Sequence, residues 1–132
     1  MINVRGNDID FSNEVDSDPF DTVVNPEPLW NVVSALRSGK YKQGRRQLRN
    51  SANEYCILGV FGDVCNKIYG SSIDLDGLTI RALPHICHQF QLKESIVLSF
   101  AAYNDSKELS FEKAADLIEF YLTTRGKNGT PR

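Results

Sequence analysis

Apolar residues recur along this 132-residue chain with two periods, and the helical one dominates. Leu29, Val32, Val33 and Leu36 fall at spacings of 0, 3, 4 and 7 beside Trp30, the stripe of a short amphipathic helix. Pro28 suits its first turn and Gly39 its end. Leu58, Phe61, Cys65 and Ile68 predict a second helix, stopped by Gly70. Gly59 and Gly62 cost that helix about 1 kcal/mol each in propensity, so its backbone is expected to press closely on a neighbour. Residues 71–82 read as a loop with a short strand at Leu78 to Arg81, and Pro84 opens a short helix bearing Leu83, Ile86 and Phe90. A further helix spans Lys93 to Tyr103 with Ile96, Val97, Phe100 and Ala101 inward, and Asn104-Asp105-Ser106 breaks it. Ser110 is placed to cap a last helix with Phe111, Ala114, Ala115, Ile118, Tyr121 and Leu122 on one stripe.

Between the first two helices the pattern changes to short alternating pieces. Brief strands around Gln47 to Arg49 and Glu54 to Cys56, joined by the turn-rich Asn50-Ser51-Ala52-Asn53, predict a β-hairpin. The expected fold class is therefore α+β: a mainly helical single domain of four to five helices with one short β-hairpin between the first two. Residues 27–124 form that globular domain. Residues 1–26 read as a flexible acidic arm, with Phe11, Phe20, Val23 and Val24 available to pin it, and residues 125–132 as a flexible tail.

Charge sharpens this picture because it is segregated. A formal net charge of −2 conceals −6 over residues 1–28, +5 over residues 29–70, −4 over residues 71–124 and +3 over the tail. The basic middle is suited to a polyanion or to the acidic arm of its own chain. Three cysteines, Cys56, Cys65 and Cys87, with no apolar signal segment at the N-terminus, predict free thiols in a reducing compartment. No apolar run approaches the roughly 18–20 residues of a membrane-spanning helix, so a soluble protein with no membrane partner is expected.

Two stretches carry a resemblance. ALRSGKYKQGRRQLR followed by YCILGV resembles a set of small proteins encoded in tailed-bacteriophage genomes, whose pattern is a Trp-led helix, LRSGKYKQ, a basic stretch and YCCLGVLCD. LSFAAYNDSKELSFEKAADLIE is similar to the same set's L-x-x-x-NDSG-x-x-F-x-x-IAD-x-IE. The likeness covers roughly residues 29–122 and departs at Ile57, where the set often has a second Cys, and at Lys107, where it often has Gly. It implies a viral protein of unknown function working in the host cytoplasm, and no mechanism.

Several chemistries can be weighed on the residues themselves. Cys56 precedes a helix whose N-terminus would lower a thiol pKa, and His85 or His88 would be the base of a cysteine hydrolase. Against this, a small apolar residue would pack equally well in YCILGV, and free Cys is among the most buried residue types. Cys56, Cys65, His85, Cys87 and His88 are the right types for zinc, but no interval has zinc-site spacing, so neither metal nor cofactor is expected. Neither glycine-rich nucleotide fingerprint occurs. The break-and-helix at residues 94–123 exposes Glu112, Asp116 and Glu119, the wrong sign for a DNA groove, and the pI of about 5.6 also disfavours a dedicated DNA binder.

The basic segment is the leading site. Arg37, Lys40, Lys42, Arg45, Arg46 and Arg49, with Tyr41 for stacking, suit an acidic host protein or a phosphate-bearing ligand, with nucleic acid less favoured. The expected function is that of a phage-encoded accessory protein that binds and modulates a host factor. The alternatives are sequestration of a phosphorylated metabolite or nucleotide, a Cys56-dependent hydrolase, and a minor virion structural protein. A bland reading stands beside them: a solvated hairpin whose arginines pair with carboxylates of the N-terminal arm.

Overall fold

Five helices and a two-stranded sheet follow one another in a computed structural model that describes residues 19–124: α1 (Glu27–Arg37), β1 (Lys42–Gln43), β2 (Glu54–Tyr55), α2 (Ile57–Tyr69), α3 (Thr79–Phe90), α4 (Glu94–Asp105) and α5 (Phe111–Thr124). The fold is α+β and mainly helical, with its strands between the first two helices. What was expected of residues 1–18, Phe11 included, and of residues 125–132 lies outside the described residues.

α2 is central. It packs on α1, α3 and α4, while α1 lies along α5. From Ile57 to Cys65 every residue of α2 is buried, a run that no single amphipathic stripe would require. Its rings join the other layers: Phe61 meets Phe90 of α3 edge-on at 4.9 Å and Phe100 of α4 at 5.5 Å. The two expected helix glycines are contact points. A Cβ on Gly59 would sit 1.9 Å from the Leu48 carbonyl oxygen, and one on Gly62 would sit 2.9 Å from the Leu75 side chain. Gly70, at φ +72, closes the helix in the left-handed region.

The strands differ from a simple hairpin, for a reason visible in the backbone. The segments around Leu48 to Asn50 and Glu54 to Cys56 do meet antiparallel, through the Arg49–Tyr55 bridge, Cys56 N–H donating to Leu48 O (3.1 Å) and Asn50 N–H to Glu54 O (2.9 Å). Asn50 Oδ1 shapes the turn by accepting from Ala52 N–H (2.9 Å) and Glu54 N–H (3.0 Å). Leu48, fully buried, pulls this return strand into the core. An earlier reversal, with Arg46 at φ +72, therefore precedes it. Two reversals bring β1 parallel to β2, pairing Lys42 with Glu54 and Gln43 with Tyr55.

Other expectations need correction. The stretch Leu78 to Arg81 is not a strand, because α3 begins at Thr79. Pro84 lies inside that helix rather than opening it, and Leu78 and Ile80 are exposed although apolar. Ile68 is likewise 54% exposed, so beyond Cys65 the inward stripe of α2 passes to Tyr69, which packs partly buried against the core. Packing also begins before the expected domain boundary at residue 27. Phe20 and Val23 are buried, and Gln91 fastens this stretch by accepting from Val24 N–H (2.7 Å) and Asn25 N–H (2.8 Å). Val24, another of the four expected anchors, is 84% exposed. Ser110 caps α5 as expected, its Oγ accepting from Lys113 N–H at 3.1 Å. Among the described residues no helix is long and apolar enough to cross a membrane.

Candidate functional site

The basic segment runs from the end of α1 through β1 to the return strand, and the fold divides its cations into two sets. Arg37 donates to Asp116 (2.8 Å) and Glu119 (2.5 Å) on α5. Lys42 lies 3.4 Å from Glu54, whose carboxyl is held below the usual range first by the Asn50 hydrogen bond and then by Lys42. Arg49 forks onto Asp76 with bonds of 2.9 and 2.8 Å and covers the Tyr55 ring at 5.9 Å. Hydrogen bonding to Arg49 holds the Asp76 carboxyl below its ordinary value. Lys40, Arg45 and Arg46 form the other set: exposed, and without an ion pair among the described residues. Among the described residues, the carboxylates that take Arg37, Lys42 and Arg49 come from α5, β2 and the loop after α2.

Tyr41 faces inward rather than outward. Its hydroxyl donates to Asp63, a carboxylate only 6% exposed on α2, which also lies 3.0 Å from Lys67. The ring meets Tyr55 edge-on at 4.8 Å and has the Lys67 ammonium 5.8 Å from its face. Burial and the Asp63 carboxylate push the phenol well above its ordinary pKa. Tyr41 thus anchors the segment, and little of it is left to stack on a ligand.

The segment is fixed from below by a polar junction that joins the two motif stretches. Gln43 Nε2 donates to Asn104 Oδ1 (2.8 Å) and Leu109 O (2.9 Å), while Gln43 Oε1 accepts from Phe111 N–H (3.0 Å) at the start of α5. Asn104 is 1% exposed at the end of α4. Its Oδ1 also accepts from Ile57 N–H (3.1 Å), satisfying an orphan donor at the start of α2, and its Nδ2 donates to Gly44 O (3.0 Å). Asp105 Oδ1 accepts from Arg46 N–H (2.7 Å) and so holds the positive-φ residue in place. Two side-chain amides thereby tie β1, α2, α4 and α5 together. Every amide group of both is used, so the network is rigid rather than half-satisfied.

Above the junction lies a recess of about 240 Å³ lined by Gln43, Gly44, Arg45, Asn104, Lys107, Leu109 and Ser110. Lys107 adopts φ +69, in the turn between α4 and α5. Gln43, Asn104, Lys107 and Ser110 had no place in a site read from charge alone. Their signal was positional: Gln43 ends the KYKQ motif, and Asn104 and Lys107 sit in or beside the NDS motif. A turn-rich Asn-Asp-Ser cluster reads as solvent-facing, which concealed that its first member is buried.

The cysteine chemistry finds no support in the geometry. Cys56 stands at the α2 N-cap but is 4% exposed, and burial pushes its thiol up to about 11, outweighing the backbone donors of Gly59 and Leu58 that favour the thiolate. Burial likewise raises Cys65 to about 11. His85 and His88 are exposed on α3. Among the described residues no three His, Cys, Asp or Glu side chains are grouped to hold a metal ion.

Fold and junction together define a small, mainly helical α+β domain that presents a locked basic segment. A family model described as a domain of unknown function, DUF8296, matches residues 27–76, so over α1, β1, β2, α2 and the loop to Asp76 the chain is similar to that family. No curated protein and no solved structure matches the chain.

Proposed function

We propose that this chain is a phage-encoded accessory protein that acts by binding, through the exposed cations of its basic segment, an acidic host protein or a phosphate-bearing ligand in the host cytoplasm. The observation that carries the reading is the split among the cations. Arg37, Lys42 and Arg49 are occupied within the fold, whereas Lys40, Arg45 and Arg46 are exposed, without an ion pair among the described residues, on a segment that Gln43 and Asn104 anchor to the core. A preorganised loop loses little entropy on binding, so its charges are available for a partner. The phage origin rests on the two motifs, which the fold brings to one junction through Gln43 and Asn104.

The test is capture from bacterial lysate by the purified protein beside a Lys40→Glu/Arg45→Glu/Arg46→Glu variant, with bound proteins, nucleic acids and nucleotides all identified. A partner held by the native protein and lost by the folded variant supports the reading. Equal capture by both would overturn it.

A further inference from the structure

The recess over the Gln43–Asn104 junction brings two cations to the wall of one cavity. Arg45 arrives from the basic segment and Lys107 from the α4–α5 turn, and both line the recess with Ser110. Neither cation makes an ion pair among the described residues. Of the nearby carboxylates, Glu54 acts on Arg45 through space, Asp105 accepts from Arg46 N–H and Glu108 accepts from Ser106 Oγ at 2.7 Å, and none of the three lines the cavity. Ser110 Oγ accepts from Lys113 N–H, which leaves its own O–H to donate. The floor is rigid, since Gln43 and Asn104 are fully bonded. Lys107 is held at the rim by the left-handed turn that ends α4, where its N–H donates to Asn104 O (3.2 Å) and Glu108 N–H to Tyr103 O (3.0 Å).

Size limits what this site accepts. About 240 Å³ is below the roughly 300–1,000 Å³ of pockets that enclose whole drug-sized ligands. It is room for one compact group with a few waters, at about 30 Å³ per water. Two cations and a hydroxyl donor lining one compact volume match a phosphate, which offers three acceptor oxygens and close to two negative charges.

We propose that this recess binds the phosphate group of a small phosphorylated ligand, with Arg45 and Lys107 as its charge partners and Ser110 Oγ as a hydroxyl donor. The inference rests on the reading of the basic segment as a binding surface and names the chemistry of what it takes.

The test is a ¹⁵N–¹H NMR titration with inorganic phosphate and, in a second arm, adenosine 5′-monophosphate, on the native protein and on Arg45→Gln, Lys107→Gly and Arg81→Gln variants. Glycine at position 107 accepts the observed φ, so this variant keeps the turn. The expected result is saturable shifts confined to Gly44, Arg45 and residues 107–111. Affinity should fall at least ten-fold in Arg45→Gln and Lys107→Gly and stay within two-fold in Arg81→Gln, a cation on α3. Equal binding of the two probes identifies the phosphate alone as the recognised group, and tighter binding of the mononucleotide adds its nucleoside. Non-saturable shifts, or unchanged affinity in Lys107→Gly, overturn the proposal. Loss in Arg45→Gln with no change in Lys107→Gly overturns the recess and leaves the basic segment standing. Absence of binding by the native protein overturns the recess too, and the capture experiment then decides the basic segment separately.

Discussion

Replacing Asn104 with alanine is the sharpest perturbation of the scaffold that holds the basic segment. The change removes the acceptor for Ile57 N–H and the donor to Gly44 O, and it takes one of two acceptors from Gln43 Nε2. Ile57 is fully buried and Gly44 is buried, so water is not at hand to replace the lost partners. Leaving a buried donor or acceptor unsatisfied costs about 1–3 kcal/mol, so the two backbone groups together cost about 2–6 kcal/mol. That is a large share of the roughly 5–15 kcal/mol that holds a domain of this size. In urea the midpoint should fall with the slope unchanged, and the melting temperature should drop by about 10–20 °C. Ser99→Ala supplies the comparison. Ser99 is also nearly buried, but its hydroxyl only returns to Ser95 O within α4, so its loss should cost about 1 kcal/mol or less. A double-mutant cycle of Asn104→Ala with Gln43→Ala should give a coupling of about 0.5–3 kcal/mol. A loss below about 1 kcal/mol for Asn104→Ala, or zero coupling, would refute the view that this junction fixes the segment.

Other consequences can be checked alongside it. Gly59→Ala drives a Cβ onto the backbone of Leu48, which cannot yield as a side-chain tip would. It should therefore cost about 3 kcal/mol or more by denaturant unfolding, whereas Gly70→Ala, with open space around it and only a positive φ to tolerate, should cost about 1 kcal/mol. Burial raises the Cys56 and Cys65 thiols from 9.0 to about 11, so the stability they contribute is complete below pH 9 and is lost as pH rises toward 11; urea midpoints between pH 8 and 10.5 should fall over that window. At pH 8, iodoacetamide should label half-buried Cys87 well before Cys56, as mapped by mass spectrometry, and rapid labelling of Cys56 in the folded protein would revive the hydrolase. Arg37→Gln should change stability by no more than about 1 kcal/mol, because its two partners on α5 are partly solvated.

The helices were legible because their apolar spacing and stop signals agree, as Leu29 to Leu36 and Gly70 illustrate. Even the cost of Gly59 was informative, since it announced the close approach of another chain segment that proved to be Leu48. Exposure was harder to read. Thr79 and Ile80 are β-prone and, with apolar Leu78 beside them, suggested a strand, but they open a helix that leaves Leu78 and Ile80 in solvent. The parallel pairing of β1 with β2 was not visible, because it depends on Leu48 being drawn inward and on a left-handed Arg46 held by Asp105, a residue 59 positions away. Charge announced the basic segment, yet charge alone could not show that Arg37, Lys42 and Arg49 are taken by partners remote in the chain or that Tyr41 turns inward. The recess was hidden for the same reason, since Arg45 and Lys107 become neighbours only through the Gln43–Asn104 junction.

The most direct measurement compares two variants that lose the same charge. Lys40→Gln/Arg45→Gln/Arg46→Gln removes the cations without an ion pair among the described residues, and Arg37→Gln/Lys42→Gln/Arg49→Gln removes those paired within the fold. Each is checked for folding by circular dichroism and used beside the native protein to capture partners from bacterial lysate at 50 and 200 mM salt. The predicted result is loss of the captured partner by the first variant at both salts and its retention by the second. Equal loss in both would show that only bulk charge matters, and retention by the first would contradict the assignment of function to Lys40, Arg45 and Arg46.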